Sequence, residues 1–319
     1  MPPLYATKSK SLAKVKCWCQ TLPMFGVHRE EQFVRYQQGR ATLVANPKIL
    51  IGLEQFFMAE LEALLLAHSG EIRADFDEAS FLYPFWQNYP PDDRGRSPIG
   101  DQFPWIEVGE HAIGRKLSRL LSERFTVRDT GIPTGTDERL VLSSEEILRR
   151  TDGLTNQAWL FVDIKSVGPR DDQDHAVMSH NQVSGDGQWT DINEGVRNTV
   201  VKAVGVHTSH DFHCSIPPLY VRSDGTLVPV VVIAIKPVYR MIEAASGGRC
   251  EGQPLLRIDL AAIPNGLLLL ENPGYLKQFP RLLFPGKDDK GKDVRKLRAR
   301  VSWEVLRSIA AWRVRTLTV

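Results

Sequence analysis

The apolar residues of this chain fall into dense runs separated by long polar stretches. The stretch Trp159-Leu160-Phe161-Val162-Asp163-Ile164-Lys165-Ser166-Val167 is bulky and β-branched, with one acid and one base inside it. Such a run reads as a buried strand. Side chains two apart share a face of a strand, so Asp163 and Lys165 should project side by side while Val162 and Ile164 face the opposite layer. Charges in a core strand are costly unless they are paired or bind something. For an isolated Asp-x-Lys, a structural ion pair is the common outcome, so its neighbours decide. Leu227–Tyr239 and Leu255–Ile263 read as further strands, the first central despite Pro229 near its start.

Helical periodicity marks other segments. Asn46-Pro47 is a helix opening, and the helix should run to about His68, with Gly70 just beyond its end. Residues 72–105 carry Tyr83, Pro84, Phe85, Trp86, Tyr89, Pro90 and Pro91 and read as a long proline-punctuated loop, with Arg94 and Arg96 near its tip. Residues 105–125 read as a helix with an apolar stripe at Ile106, Ile113, Leu117, Leu120 and Leu121. Glu110 falls on that stripe, where a carboxylate needs a partner; a salt bridge to a nearby base is the plainer reading. A short strand at 125–128, a Gly- and Pro-rich turn through Asp137 and a strand at Leu140-Val141-Leu142 follow, and Ser143-Ser144-Glu145-Glu146 caps a short helix. Asp137 stands 26 residues before Asp163. Two adjacent antiparallel strands with a helical connection would bring the two acids together.

After 168 the chain reads as polar loop to Gly195. His207, His210 and His213 have a spacing that suits one helix face poorly, and no cysteine pair accompanies them, so they argue little for zinc. Residues 296–301 alternate like a strand, placing Lys296, Arg298 and Arg300 on one face, and 302–312 read as a terminal helix.

Composition is that of a soluble globular protein, 42% hydrophobic and 24% charged. The longest apolar run, 228–235, is far too short to span a bilayer. Cys17, Cys19, Cys214 and Cys250 lack zinc-ligand spacing, and reduced thiols are expected. Charge changes the picture more. The net +2 divides into +4 over residues 1–23, −9 over 24–280 and +7 over 281–315. An acidic body suits a cation and a basic C-terminal region suits a polyanion. Residues 1–23 are basic and patternless, without the apolar core of a secretory signal, and read as a disordered extension.

Asp137, Asp163 and Lys165 make a D…D-x-K constellation, with Glu110 as a possible fourth member. Two carboxylates and a backbone carbonyl form an all-oxygen half-shell suited to Mg²⁺, and a lysine beside it can stabilise a phosphoryl oxyanion. That set suits phosphodiester hydrolysis, although the pattern alone is weak. Lys and Arg donate to guanine and Asp accepts from the cytosine amino group, so the mix of Lys287, Asp289 and Arg298 suits reading G·C pairs. A DNA-binding protein whose acids and lysine form only an ion-pair network, without nuclease activity, is the competing reading. A structure-specific repair nuclease is a remoter one.

Several segments resemble the BglI-like type II restriction endonucleases of the PD-(D/E)xK superfamily: EIRADFDEASFLYPFWQNYPPDDRGR at 71–96, GDQFPWIEVGEHAIG at 100–114, TGTDER at 134–139, FVDIKSVGPRDD at 161–172 and PGKDD at 285–289. Shorter matches at 181–185, 216–220, 223–226 and 264–267 keep the same order, and the resemblance runs from about Met24 to the end. It implies an α/β fold with a mixed β-sheet flanked by helices, in a single endonuclease domain over 24–319. It implies Asp137, Asp163 and the Ile164 carbonyl as Mg²⁺ ligands, Lys165 as the catalytic lysine and Glu110 as the active-site helix glutamate. Asp171, Lys287, Asp289 and Arg298 fall on base-contacting positions, and Arg96 stands where the family has a lysine facing DNA. The family resemblance further implies a cytoplasmic bacterial homodimer that cuts double-stranded DNA at GCCNNNNNGGC, alongside a protective DNA methyltransferase. Thr136 replaces the proline that names the motif, and the segments 198–214 and 290–296 diverge.

Overall fold

A computed structural model describes residues 25–82, 108–168, 172–240, 242–243, 250–286 and 297–319. The strands are β1 (Thr126–Asp129), β2 (Glu138–Ser143), β3 (Gln157–Ile164), β4 (His175–Met178), β5 (Val200–Val204), β6 (Ser209–His213), β7 (Leu219–Val221), β8 (Leu227–Tyr239), β9 (Ile242–Glu243), β10 (Cys250–Gly252), β11 (Leu255–Ile263), β12 (Leu283–Pro285), β13 (Ala299–Ser302) and β14 (Val314–Thr318). The main sheet runs in the order β1-β2-β3-β8-β11-β14, with β7 added beside β8. Only β3 and β8 run parallel within it; the other pairs are antiparallel, so the sheet is mixed.

The β-branched runs explain the centre. Every residue of β8 is buried, as a strand covered on both faces must be. Pro229 is tolerated because it lies before the ladders with β3 and β11 begin, at Val230 and Val232. A three-stranded ribbon, β12-β13-β4, and a hairpin, β5-β6, stand outside this sheet.

The helices are α1 (Phe25–Ala45), α2 (Lys48–Ala67), α3 (Ser69–Phe81), α4 (Arg115–Leu121), α5 (Glu145–Arg150), α6 (Gly266–Leu270), α7 (Tyr275–Gln278) and α8 (Trp303–Ile309). α2 packs on β8 and β11 and buries Leu50, Leu53, Phe57, Leu61, Leu64 and Leu65. Each such side chain contributes about 1.5–3 kcal/mol of burial. As the sequence suggests, Ser144 caps α5, its Oγ accepting from Ile147 N at 3.2 Å.

Four elements go beyond or depart from the sequence reading. Within the stretch expected as polar loop to Gly195, β4 forms because Ala176 and Met178 are buried and it pairs with β13. α1 forms although its apolar stripe is thin, with Tyr36 and Leu43 buried; polar bonds supply the rest, Tyr36 donating to the Gly187 carbonyl at 2.9 Å and Arg40 to that of Asp186 at 2.9 Å. α3 occupies the start of the expected loop, because Ile72 and Phe76, four apart, both reach the core; Gly70 lies inside its first turn instead of ending α2. The chain ends on an edge strand, β14, after a short 3₁₀ turn at Ala311–Arg313 that closes the expected terminal helix. Arg313 within that turn is fully buried and ion-paired to fully buried Glu54 of α2 at 2.8 Å. Asn265 N donates to the other oxygen of Glu54 at 2.6 Å.

Candidate active site

The antiparallel register of β2 and β3 ends with Glu138 opposite Val162. Asp137, just before β2, and Asp163, near the end of β3, therefore meet at the same end of the sheet. Ile164, still paired with Ile235 of β8, lies beyond the last β2–β3 pair, and its N–H donates to Asp137 Oδ2 at 2.5 Å. Lys165 returns beside Asp163, with Nζ 3.0 Å from Oδ1 and 2.9 Å from Oδ2. The two side chains that alternation placed on one face are thus in contact. Asp163 is fully buried, whereas the Lys165 side chain keeps 31% of its surface exposed. The pair consequently spans from the core to solvent.

Glu110 opens a π-turn, Glu110–Gly114, that leads into α4. Two glycines let this segment lie against the strand ends. A Cβ on Gly109 would strike Ser166 and Pro237, and one on Gly114 would press on Ile164 and on Glu138 Oε1. Glu110 is half-buried, and its charge reaches Asp163. Burial pushes the Asp163 carboxyl up to about 7; Lys165 pulls it down, while Asp137 and Glu110 push it further up. Glu138 is also raised to about 7, by burial and then by the charges of Asp129 and Asp137. The site therefore gathers more negative charge than its lysine balances.

Such an arrangement fits a divalent cation. Asp163 Oδ2 is buried and accepts no hydrogen bond; what it faces is the Lys165 charge. Among the described residues, no group of three or more His, Cys, Asp or Glu side chains is placed to hold a metal. Two carboxylates with a carbonyl nevertheless suit Mg²⁺, which keeps several waters in its shell. Gln182, which the sequence reading passed over inside a polar loop, is buried and donates through Nε2 both to Asp163 Oδ1 and to the Gly135 carbonyl. Only its place in a short segment shared with the family, at 181–185, could have marked it.

The ribbon stands beside this site. Lys236 of β8 is buried, lies 4.3 Å over the Trp303 ring, and donates to the carbonyls of Asp172 and His175. The Asp172 carboxylate pairs with Arg300 at 3.2 Å and meets His175 Nδ1 at 2.7 Å. With Leu297, Ala299 and Val301 buried, Arg298 and Arg300 alternate onto the less buried face, and the pair with Asp172 partly covers Arg300. Arg298 is exposed just before β13, its carbonyl accepting from Gly286 N at 3.0 Å. Asp171, Lys287, Asp289 and Arg96 lie outside the described residues, as does Lys296.

The model of the family described as restriction endonuclease BglI matches residues 31–317. The chain belongs to the BglI family of restriction endonucleases. It is 48% identical, over 290 residues, to the type II restriction enzyme BglI of Bacillus subtilis, a match covering 90% of this chain and 96% of that enzyme. The crystal structure of BglI bound to its DNA recognition sequence superposes with a TM-score of 0.85 at 47% identity, covering 92% of this chain and 99% of that one. The tetrameric restriction endonuclease SfiI, solved with its cognate DNA, shares the fold at a TM-score of 0.57 and 14% identity, covering 85% of this chain and 84% of that one. The mixed sheet flanked by helices is therefore the BglI fold, and the enzyme class is that of a type II site-specific deoxyribonuclease.

Proposed function

We propose that this BglI-family enzyme is a homodimer that cleaves double-stranded DNA in the presence of Mg²⁺ at the interrupted palindrome GCCNNNNNGGC. The observation that carries the catalytic half is the meeting of Asp137, Asp163 and Lys165 at one end of the sheet, with the Lys165 ammonium 2.9 Å from the buried Asp163 Oδ2. Asp137, Asp163 and the Ile164 carbonyl would hold the cation. When bound, Mg²⁺ supplies Lewis-acid stabilisation of the phosphoryl group and lowers the pKa of water. Lys165, anchored by Asp163 and partly exposed, is placed to donate to a phosphoryl oxygen and to stabilise charge that develops in the transition state. Glu110 adds a nearby negative charge that favours cation binding.

Base reading falls to Asp171, Lys287, Asp289 and Arg298, with Arg96 on the DNA-facing loop. Support comes from the chain's similarity to BglI over nearly its full length and from the exposed position of Arg298 at the start of β13. A palindrome read by a two-fold dimer matches protein symmetry to DNA symmetry. In its host the enzyme would work in the bacterial cytoplasm, with a methyltransferase protecting the same site, and residues 24–319 would form one endonuclease domain.

Digestion of a fully sequenced phage DNA with Mg²⁺ and with EDTA, followed by end sequencing, tests this. Discrete Mg²⁺-dependent ends inside GCCNNNNNGGC are expected. Ends at another site would overturn the sequence preference, and a specific gel shift without cutting would overturn the nuclease. Arg298→Ala should cost about 1–3 kcal/mol of discrimination at one base position; unchanged cleavage at the cognate site would remove Arg298 from the readers.

A further inference from the structure

We propose that Gln182 is a positioning residue for catalysis, which fixes the Asp163 carboxylate and ties it to the strand ribbon that carries Arg298. The inference rests on the assignment of Asp163 to the reaction given above.

The Gln182 side chain is held at both ends. Its Oε1 accepts from Ser179 N at 2.7 Å, and its Nε2 donates to Asp163 Oδ1 and, at 2.7 Å, to the Gly135 carbonyl. Gln182 is buried, so loss of this donor would take a bond from the Gly135 carbonyl and leave Asp163 Oδ1 with Lys165 alone in a dry place. Nε2 lies against Oδ1, while Oδ2 faces the Lys165 ammonium at 2.9 Å, so both carboxylate oxygens have a defined neighbour. The second bond reaches Gly135, two residues before Asp137, so one amide spans both acid-bearing segments. Backbone reinforces it: Gly135 N donates to the Asn181 carbonyl at 3.0 Å, and a Cβ on Gly135 would collide with the Asn181 side chain.

The connection to the ribbon is direct. Ser179–Gln182 follows β4 without a break, as a capped 3₁₀ turn. In the ribbon, Ala299 of β13 pairs with Met178 of β4, which sets Arg298 one step further, at the level of Ser179. Any displacement of the Arg298 end of β13 therefore reaches the Asp163 carboxylate through a single turn and a single side chain. Contacts of this kind orient the side chains that hold a metal, and their loss typically costs about 10–100-fold in metal affinity or activity.

The test compares wild type with Q182M, which keeps the volume and removes the polar atoms. Cleavage rates at the cognate site and at sites with one altered base are measured across a Mg²⁺ titration, with DNA affinity taken by gel shift in EDTA. We expect kcat at the cognate site to fall about 10–100-fold, or half-saturating Mg²⁺ to rise by a similar factor, while affinity in EDTA stays within about threefold of wild type. The cognate rate should fall more than the slow rate at altered sites, narrowing the ratio between them. Q182E keeps the length and the acceptor for Ser179 but puts a carboxylate against Asp163; it should be slower still, and it carries the test if Q182M fails to fold. Unchanged kcat and Mg²⁺ dependence in a folded variant overturns the proposal, as does a loss of DNA affinity in proportion to the loss of rate. A wild-type enzyme without Mg²⁺-dependent cleavage would instead overturn the functional reading beneath it.

Discussion

Among the described residues, Glu54 and Asp163 are both fully buried beside a cation, and they do opposite things. Glu54 meets Arg313, also fully buried, and a backbone N–H; burial pushes its carboxyl up while the guanidinium opposes this, and no acid among the described residues pushes it further. Asp163 meets Lys165, which is partly exposed, and shares its surroundings with Asp137 and Glu110. One charge balances one charge at the first site. At the second, three acids share one lysine. The difference separates a pair that ties the C-terminal turn to α2 from a group arranged to take up positive charge from outside.

Four changes would break or sharpen this contrast. The largest effect is Asp163→Asn, expected to lower cleavage by more than about 10³-fold, the upper range for removal of one transition-state electrostatic contact. The same change should raise the melting temperature in EDTA, because it removes a buried charge in like-charged company. Glu54→Gln should do the reverse to stability, lowering it by about 3–5 kcal/mol by leaving Arg313 buried without a counter-charge. Urea unfolding of both variants checks this, and a shift of the same sign in the two would erase the distinction.

Acid should weaken metal use next. With the Asp163 carboxyl pushed up to about 7, the carboxylate form needed for a cation prevails above that value. Below it, proton and cation compete, so half-saturating Mg²⁺ should rise by up to about tenfold per pH unit. In EDTA the sign for stability follows from a folded value above the unfolded value of about 3.9. Asp163 weighs against the fold above pH 7, and that cost fades as pH falls through 7 toward 4. Glu110→Gln should produce the smallest change, moving the midpoint of the Mg²⁺ titration toward lower pH by removing one repelling charge. A midpoint that stays in place would detach Glu110 from Asp163.

Strong β-branched runs made β3, β8 and β11 legible, and the Asp137–Asp163 meeting followed from strand alternation and an antiparallel register. α1 was not legible, because bonds from its polar side chains to a distant loop hold it in place of an apolar stripe. β14 hid because five residues after a helix carry too short an alternation. Gln182 and Lys236 escaped for a related reason. Both act through backbone carbonyls of segments far away in sequence, and a carbonyl leaves no trace in residue identity.

The π-turn at Glu110–Gly114 makes the entry to α4 sensitive to chain length as well as to composition. A π-turn holds one residue more than the α-helical turn it replaces. Removing exposed His111 would let the segment relax into regular helix and would rotate Glu110 by about 100° about the axis relative to Leu117 and Leu120. A one-codon deletion that leaves every acid and the lysine in the gene would then turn the glutamate away from Asp163. Length variation at this turn is thus a route by which related enzymes could alter the acidity of the site while keeping its residues.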